Sequence, residues 1–218
     1  MVNISKESII DSYRNLAKRY DFIANVYIMV GYRINSYRKE SIDSLKLKEG
    51  DTVVDLACGT GLNFSYLQKA VGPKGKIIGV DITDAMLEQA KRRIDVHGWK
   101  NVELVYCDVE KYKFPNHFDD VLSTFALGYL PNYDGLIKRI YNALPIKGRF
   151  AELSFKKPKG KLIRQILLRV FRPFGNVEDS IDRRIWESVE RHFDKTIFQE
   201  FYFGTTYMVT GEKIGNKS

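Results

Sequence analysis

Three aspartates and a glycine turn are the residues of this chain whose types and spacing could do chemistry. Asp55 lies at the end of a short β-branched, apolar run, just before a turn that contains Gly59 and Gly61. Such a turn between a strand and a helix lets a ligand approach the backbone closely. A carboxylate at this place would repel a pyrophosphate but attract an ammonium group. The turn therefore indicates a cofactor that carries a positive amine, as S-adenosylmethionine does, rather than a dinucleotide.

Two further aspartates extend this interpretation because each closes a later strand-like run. Asp81 lies about twenty residues beyond the turn, the spacing at which an acid reaches ribose hydroxyls. Its two oxygens can accept hydrogen bonds from adjacent hydroxyls of an unphosphorylated ribose. Asp108 can accept a hydrogen bond from an adenine amino group, while Ile82, Met86 and Val109 offer apolar faces to the ring.

Simpler explanations and rival functions exist for this pattern. A single aspartate is common in turns and at helix N-termini, but three in succession at strand ends favour the cofactor. A dehydrogenase is one rival, although Phe64 stands where the dinucleotide fingerprint has glycine. A non-catalytic S-adenosylmethionine-binding protein is another, because methyl transfer requires no nucleophilic residue. No nucleic acid is expected as a partner, since the sequence has neither an RNA-binding module nor an Asn/Asp-Pro-Pro-Tyr signature.

The elements that must position these residues alternate along the chain. Apolar runs predict five strands, at Thr52–Leu56, Lys76–Asp81, 102–108, Asp120–Thr124 and Arg149–Phe155. Helical spacing separates them and also covers 7–20 and 34–47 before the first strand. This alternation indicates a parallel sheet with helices on both faces. Two further strand-like runs, 198–203 and 205–212, are separated only by Gly204, which requires an antiparallel hairpin.

Four segments resemble the class I S-adenosylmethionine-dependent methyltransferases, within the branch of ubiquinone/menaquinone C-methyltransferases and phospholipid N-methyltransferases. They are Tyr20-Asp21, the turn 55–61, Asp81-Ile82-Thr83, and the run 118–122 leading to Phe125. The run 152–158 is also similar to that branch. The resemblance implies an α/β, Rossmann-like fold whose seven-stranded, mostly parallel sheet has the order 3-2-1-4-5-7-6 and ends in the antiparallel hairpin.

The resemblance also implies roles for single residues. It places Tyr20 at the carboxylate end of the cofactor and Phe125 beside the methionine or the acceptor. The acceptor is expected to be a quinol-type ring or a phospholipid headgroup amine, with a soluble small molecule as the alternative. Together with the spacing, it predicts the cofactor-binding residues Tyr20, Asp55, Ala57, Cys58, Gly59, Thr60, Gly61, Asp81, Ile82, Met86, Cys107, Asp108, Val109 and Phe125.

A single methyltransferase domain over 1–218 accommodates all these elements. We expect an N-terminal helical cap, a cofactor-binding core, a lid or insertion, and the terminal hairpin, at 1–48, 49–155, 156–193 and 194–218 respectively. The segment 156–172 holds seven Lys and Arg residues, no acid, and an apolar stripe at helical spacing. It predicts either a lid packed on the domain or a helix in peripheral contact with an anionic membrane.

Composition narrows the classes of protein further. With Cys58 and Cys107 as the two cysteines, no disulfide framework is expected, and no metal is expected because the sequence lacks metal-ligand spacing. The first residues lack the apolar stretch of a signal peptide, and 22–31 is too short to span a bilayer. We therefore expect a cytoplasmic protein. The formal net charge of +8 suits an anionic partner such as the inner membrane surface, and nothing indicates an oligomeric state.

The sequence does not indicate which residue, if any, acts as a catalytic base. His97, His117 and His192 adjoin ends of helices and strands that should lie at the sheet edge opposite the cofactor. Any base would have to be a carboxylate or a tyrosine, although packing in the wall of the site is the simpler role for a tyrosine. The accessible tyrosines are Tyr20, Tyr27, Tyr129 and Tyr207.

Overall fold

The computed structural model describes residues 6–26, 31–157, 181 and 183–215. Seven strands form one sheet at its centre. In chain order they are β1 (Thr52–Leu56), β2 (Lys76–Asp81), β3 (Val102–Tyr106), β4 (Asp120–Thr124), β5 (Arg149–Phe155), β6 (Lys195–Phe201) and β7 (Thr206–Glu212). Their order across the sheet is β3-β2-β1-β4-β5-β7-β6.

Helices connect the strands within the described residues. They are α1 (Lys6–Val26), α2 (Ile34–Leu45), α3 (Phe64–Val71), α4 (Asp84–His97), α5 (Tyr133–Ala143) and α6 (Ile185–His192). Glycine marks the end of α4, where Gly98 takes a left-handed conformation and its N–H bonds back to the carbonyls of Asp95 and Ile94. The helix predicted over 7–20 is α1, which is longer in the structure and ends at Val26.

The pairing of the strands confirms the predicted fold class. β1 to β5 pair in parallel, and β7 pairs antiparallel with both β5 and β6. Parallel strands bring their carboxyl ends to one edge of the sheet. The strand order reverses between β1 and β4, and this is the point where an open α/β sheet leaves a crevice for a ligand.

Some boundaries differ from the sequence prediction. β3 ends at Tyr106, so Cys107 and Asp108 lie in the loop that follows it. Phe201 pairs with Thr206, and the chain turns through 202–205 rather than through Gly204 alone. Tyr202 and Phe203 adopt φ values of 44° and 57° in this turn. Left-handed residues of this kind let two strands reverse within a short connection.

The core lies on both faces of the sheet, because successive strand residues point to opposite sides. Val54 and Leu56 belong to the cluster under α5 and α6, which also includes Leu136 and Val189. Val53 belongs to the cluster on the other face, under α2, α3 and α4. Burial on both faces explains why β1 reads as a continuous apolar run rather than an alternating one.

The predicted lid or insertion 156–193 is only partly described, and the part of it that is described includes α6. α6 packs on α5 and β7, with Ile185 and Val189 fully buried. Their spacing of four residues places both on one face of the helix, and that face belongs to the core. The basic, apolar segment 156–172 lies almost entirely outside the described residues. Among the helices that are described, none has both the length and the apolar character required to cross a bilayer.

Candidate functional site

A cavity opens at the carboxyl edge of the sheet, beside the ends of β1, β2 and β4. The space between its lining atoms, including open solvent at the mouth, is about 950 Å³. Strand ends and loops form one side of the cavity. The other side is α1, which contributes Ile9, Ile10, Tyr13 and Tyr20.

The turn after β1 is built from residues in the left-handed conformation. Ala57, Gly59 and Gly61 have φ values of 53°, 55° and 75°. A Cβ atom added at Gly61 would lie 2.6 Å from the ring of Phe64, and one added at Gly79 would lie 2.7 Å from the same ring. Phe64 therefore fills the space between the turn and β2, where the dinucleotide fingerprint has a third glycine.

Asp81 is held in the cavity wall by backbone N–H groups. The N–H of Gly59 donates to Oδ2 and that of Thr83 donates to Oδ1, each at 2.8 Å. Burial raises the pKa of Asp81, while the hydrogen bonds from Thr83 and Gly59 act in the opposite direction. Each carboxylate oxygen keeps capacity for a further hydrogen bond. The arrangement suits two adjacent hydroxyl donors, such as those of a ribose.

Asp108 also lies in the wall but is already engaged by α1. Lys6 Nζ donates to Asp108 Oδ2 at 2.6 Å and to Glu110 Oε2 at 2.7 Å. Burial opposes ionisation of Asp108, but the bond from Lys6 and the N–H of Glu110 outweigh it, so the pKa of Asp108 is lowered. An adenine amino group at Asp108 would share this carboxylate with Lys6.

A buried polar network lies behind the wall at the start of the crevice. Asn63 Nδ2 donates to both carboxylate oxygens of Asp55 at 3.1 Å. Arg38 Nη1 donates to Asn63 Oδ1 at 2.8 Å and to Thr124 Oγ1 at 2.6 Å. Burial raises the pKa of Asp55 to about 7, while Asn63 and Arg38 act in the opposite direction. Of these four residues, only Thr124 belongs to the cavity wall.

Further polar contacts attach α1 to the rest of the site. Thr60 Oγ1 donates to Asp21 Oδ1 at 2.6 Å, and Asp21 also forms an ion pair with Arg93. Arg14 pairs with Asp84 at 3.0 Å. The side chain of Thr60 is therefore used to hold α1, not to line the cavity.

Aromatic side chains form much of the remaining wall. The rings of Tyr13 and Tyr129 meet edge to face with centroids 6.1 Å apart, and Tyr20 lies 6.3 Å from Tyr13. Phe125 has a φ of 61° and packs on Phe155 at 4.7 Å. Burial raises the pKa of both Tyr13 and Tyr20 above the usual value for a phenol. Burial thus favours the protonated form of these two hydroxyls.

The histidines lie away from the cavity. His97 ends α4, bonds to the carbonyl of Arg93 at 2.9 Å and stacks on Trp99. His192 ends α6 and lies 3.2 Å from Asp134. His117 precedes β4 at the opposite edge of the sheet, and none of the three belongs to the wall. Of the other tyrosines considered, Tyr207 is buried in the core under α6, and Tyr27 lies outside the described residues.

The structure separates the predicted cofactor residues into two groups. Nine lie in the cavity wall: Tyr20, Ala57, Gly59, Asp81, Ile82, Met86, Asp108, Val109 and Phe125. The other five, Asp55, Cys58, Thr60, Gly61 and Cys107, do not. Asp55 lies beneath Asn63, and Cys58 packs into the core under α3 and α4. Both cysteines are free thiols.

Two residues of the site, Arg38 and Asn63, were missed by the sequence interpretation. Arg38 follows Tyr37 on the buried face of α2, whose other buried residues include Ser41, Ile42 and Leu45. A basic residue within such a face is the signal that could have indicated it, because an arginine is almost never fully buried without partners.

No metal-binding cluster is found in the part of the chain that the structure describes. There, no group of three or more His, Cys, Asp or Glu side chains is placed to hold a metal ion.

Comparison with known proteins identifies the family. A family model described as the ubiE/COQ5 methyltransferase family matches residues 1–202. The chain belongs to this family. The resemblance seen in the sequence is thereby confirmed.

Relatives within the ubiE/COQ5 family are about one third identical to this chain. The ubiquinone/menaquinone biosynthesis C-methyltransferase UbiE of Pseudomonas putida is 31% identical over 159 residues, covering 72% of this chain and 61% of that protein. This chain therefore matches about three fifths of that relative's length. The demethylmenaquinone methyltransferase of Staphylococcus saprophyticus is 32% identical over 162 residues, covering 73% of this chain and 67% of that protein.

A solved structure of another methyltransferase shares the fold of this chain. Phosphoethanolamine N-methyltransferase 2 of Haemonchus contortus, in complex with S-adenosyl-L-methionine, is similar with a TM-score of 0.63 at 17% identity. The match covers 80% of this chain and 52% of that one.

Proposed function

We propose that this protein transfers a methyl group from S-adenosylmethionine to a ring carbon of a quinol-type acceptor. The observation that carries the proposal is Asp81, whose two oxygens accept hydrogen bonds from backbone N–H groups in the wall of the cavity. This geometry fits a ribose diol. Membership of the ubiE/COQ5 family supports the reaction, and the names of the relatives from Pseudomonas putida and Staphylococcus saprophyticus support the acceptor.

The nine wall residues are the proposed cofactor contacts. Asp81 would hold the ribose, and Ile82, Met86 and Val109 would cover the adenine ring. Asp108 would accept from the adenine amino group beside Lys6. When bound, S-adenosylmethionine supplies an electrophilic methyl group that an acceptor can attack in line. The wall contributes position and exclusion of water, the two effects on which a charge-dispersing transfer depends most.

The cavity wall favours an aromatic acceptor over a phosphate-bearing one. Among the described wall residues Lys6 is the one basic side chain, and it is already paired with Asp108 and Glu110. A phosphate would find no free cation there, whereas a flat ring can pack against Tyr13, Tyr129 and neighbouring apolar side chains. A lipid headgroup amine is the second candidate, because three tyrosine rings together can also hold a methylated ammonium group.

Labelled cofactor tests the proposal directly. The purified protein is incubated with methyl-labelled S-adenosylmethionine and either a demethylated quinol or a phosphoethanolamine lipid, followed by partition into solvent. Label in the quinol supports the proposed acceptor, and label in the lipid supports the second candidate. The protein could also bind the cofactor but transfer no label to the quinol, to the lipid or to any component of a cell extract. That result would contradict methyl transfer and indicate a protein that only binds S-adenosylmethionine.

Contact with a membrane is part of the proposal, since a prenylated quinol or a phospholipid must be drawn from a bilayer. The basic, apolar segment 156–172 supports this, together with the net charge of +8. We expect the protein to float with anionic vesicles in a density gradient and to be released by salt. The double variant Arg164→Glu/Arg169→Glu should remain with the soluble fraction, and absence of flotation at low salt for the unmodified protein would contradict the prediction.

Replacement of Asp81 by alanine should weaken binding of S-adenosylmethionine. Loss of both oriented acceptors leaves two ligand hydroxyls unpaired, a change of roughly 1–3 kcal/mol, or about 5- to 150-fold in affinity. Titration calorimetry measures the change. Asp119→Ala is the matched control, because that carboxylate accepts the N–H of Thr52 at the opposite edge of the sheet. Equal affinity of the Asp81 variant and the unmodified protein would remove the proposed ribose site.

A further inference from the structure

Two tyrosines from opposite sides of the cavity meet inside it. Tyr13 lies on α1, and Tyr129 ends the short helical turn that follows β4. Both line the cavity, and their rings pack edge to face with centroids 6.1 Å apart. Burial is the main cause of the raised pKa of Tyr13, and the neighbouring Tyr129 adds to it, in part through a hydrogen bond. A phenol whose pKa is raised by a hydrogen bond is the donor in that bond, so Tyr13 donates to Tyr129.

The tyrosine pair lies on the same side of the cavity as the proposed cofactor contacts. The carboxylate of Asp81 is close enough to raise the pKa of Tyr13 as well, after burial and the neighbouring tyrosines. Asp81 is the proposed ribose-binding group. An acceptor placed between the cofactor and α1 would therefore meet the two hydroxyl groups.

Hydroxyl groups are the polar side-chain groups that this part of the wall offers to an acceptor. The basic side chain of the wall, Lys6, is already paired with Asp108 and Glu110. The wall residues next to the tyrosine pair along the chain are apolar, namely Ile9, Ile10, Leu127, Leu130 and Pro131. A ring that carries a hydroxyl group matches such a surface, because the hydroxyl can bond to a tyrosine while the ring packs on apolar side chains.

We propose that the Tyr13–Tyr129 pair selects the methyl acceptor by binding the oxygen atom on the ring carbon next to the carbon that is methylated. Tyr129 donates a hydrogen bond to that oxygen. Tyr13 is a positioning residue that fixes the Tyr129 hydroxyl by donating to it, and a hydroxyl that accepts one hydrogen bond is a stronger donor of another. The inference rests on the proposed function, because it concerns the acceptor of the same reaction.

The bond from Tyr129 has its largest effect when the acceptor oxygen is ionised, since hydrogen bonds to charged groups are the stronger ones. The ionised oxygen supplies electrons through the ring to the neighbouring carbon. That carbon forms a bond to the methyl group while the bond from the methyl group to sulfur breaks, and the electron pair of the broken bond stays on sulfur. The ring carbon then loses its hydrogen as a proton and the ring oxygen takes up a proton, which gives the methylated phenol.

Phenylalanine variants test the pair, because they remove a hydroxyl and keep the ring packing. The probe is 1,4-naphthalenediol, kept reduced by dithionite, with methyl-labelled S-adenosylmethionine. Tyr129→Phe should lower kcat/KM by roughly 10- to 100-fold, the range for a hydrogen bond to a charged group. Tyr13→Phe should lower it by less. The double variant should be no slower than Tyr129→Phe alone, because Tyr13 acts through Tyr129.

A coloured phenol separates this role from a merely structural one. The probe is 4-nitro-1-naphthol, whose visible absorbance reports its ionisation, bound in the presence of S-adenosylhomocysteine. Loss of the stabilising bond should raise the pKa of the bound probe by about one to two units in Tyr129→Phe and by less in Tyr13→Phe. Each variant keeps the other charged or titratable groups of the wall and their partners, which are Lys6, Tyr20, Asp81, Asp108, Glu110 and Arg38.

Tyr141→Phe is the matched control. It removes a phenol on α5 that donates to Asp194 at 3.2 Å and does not line the cavity, so neither kcat/KM nor the pKa of the bound probe should change. An unchanged kcat/KM or an unchanged pKa of the bound probe in Tyr129→Phe, or an equal loss in Tyr141→Phe, would overturn the role of the pair while methyl transfer by the unmodified protein still supports the proposed function. If the unmodified protein transfers no methyl group to the diol, the proposed acceptor fails and this inference fails with it.

Discussion

Replacing Gly61 by valine should destabilise the fold by about 2–5 kcal/mol. A Cβ atom at this position would lie 2.6 Å from two carbon atoms of the Phe64 ring, and the backbone φ of +75° disfavours any side chain. A left-handed conformation costs an L-residue roughly 1–2 kcal/mol, and overpacking a core adds about 1–3 kcal/mol. Phe64 is fully buried between the turn and β2, so its ring has no space to move into. Urea unfolding followed by circular dichroism measures the loss.

The neighbouring glycine provides the control. Gly59 has a φ of +55°, but nothing lies within 4 Å of an added Cβ. Gly59→Ala should therefore lose only about 1–2 kcal/mol of stability from the backbone. The double variant Gly61→Ala/Phe64→Leu should be more stable than the sum of its single changes, because the smaller side chain relieves the contact. Strictly additive single and double variants would show that Phe64 does not restrict the turn.

Replacing Glu152 by glutamine should stabilise the protein at neutral pH. Glu152 is fully buried in β5, and neither of its carboxyl oxygens has a hydrogen-bond partner among the described residues. Burial raises its pKa well above the usual range, against the effect of the nearby Ser123 and Ser154 hydroxyls. Tyr207, whose phenol also has a pKa raised by burial, faces the same group. Burial therefore favours the protonated form of Glu152 in the folded protein, whereas the unfolded chain ionises this group at neutral pH.

The sign of the pH dependence follows from that difference. Since the folded pKa is raised, the stability associated with Glu152 is fully present below the unfolded pKa and is lost as the pH rises toward the folded value. The gain from Glu152→Gln should therefore grow as the pH rises above about 4.3, the pKa of an ordinary glutamate. Val121→Ala, in the same core cluster, should lower stability by an amount that does not change with pH. Parallel pH profiles for Glu152→Gln and the unmodified protein would contradict the prediction.

Most of the fold could be predicted from the sequence because its strands are buried on both faces. Four of the first five predicted strands have the observed bounds, since runs such as Thr52–Leu56 are apolar throughout and end in a turn. The terminal hairpin was less predictable in detail. The position of its turn depends on the pairing of Phe201 with Thr206 and on left-handed backbone at Tyr202 and Phe203, which aromatic residues rarely adopt.

The sequence predicted the position of a site residue only where a charged side chain lies at the end of a strand. Asp81 is such a residue, and its position in the wall follows from the topology alone. The network of Arg38, Asn63 and Thr124 could not be found in this way, because its members are separated by 25 and 86 residues along the chain. Asp55 illustrates the same limit. Its place in the motif was clear, but the amide that covers it comes from the following turn and helix.

The cavity is enclosed by strand ends and loops on one side and by α1 on the other, which affects how a protein with the proposed function can evolve. The two carboxylates proposed to recognise the cofactor, Asp81 and Asp108, lie at the end of β2 and in the loop after β3, whereas α1 is attached to the rest of the site through Lys6, Arg14 and Asp21. Substitutions at Ile9, Ile10 or Tyr13 reshape the enclosure without touching the hydrogen bonds around Asp81. Under the proposed function, selection for a different methyl acceptor can thus act on α1 while the hydrogen bonds around Asp81 are inherited unchanged.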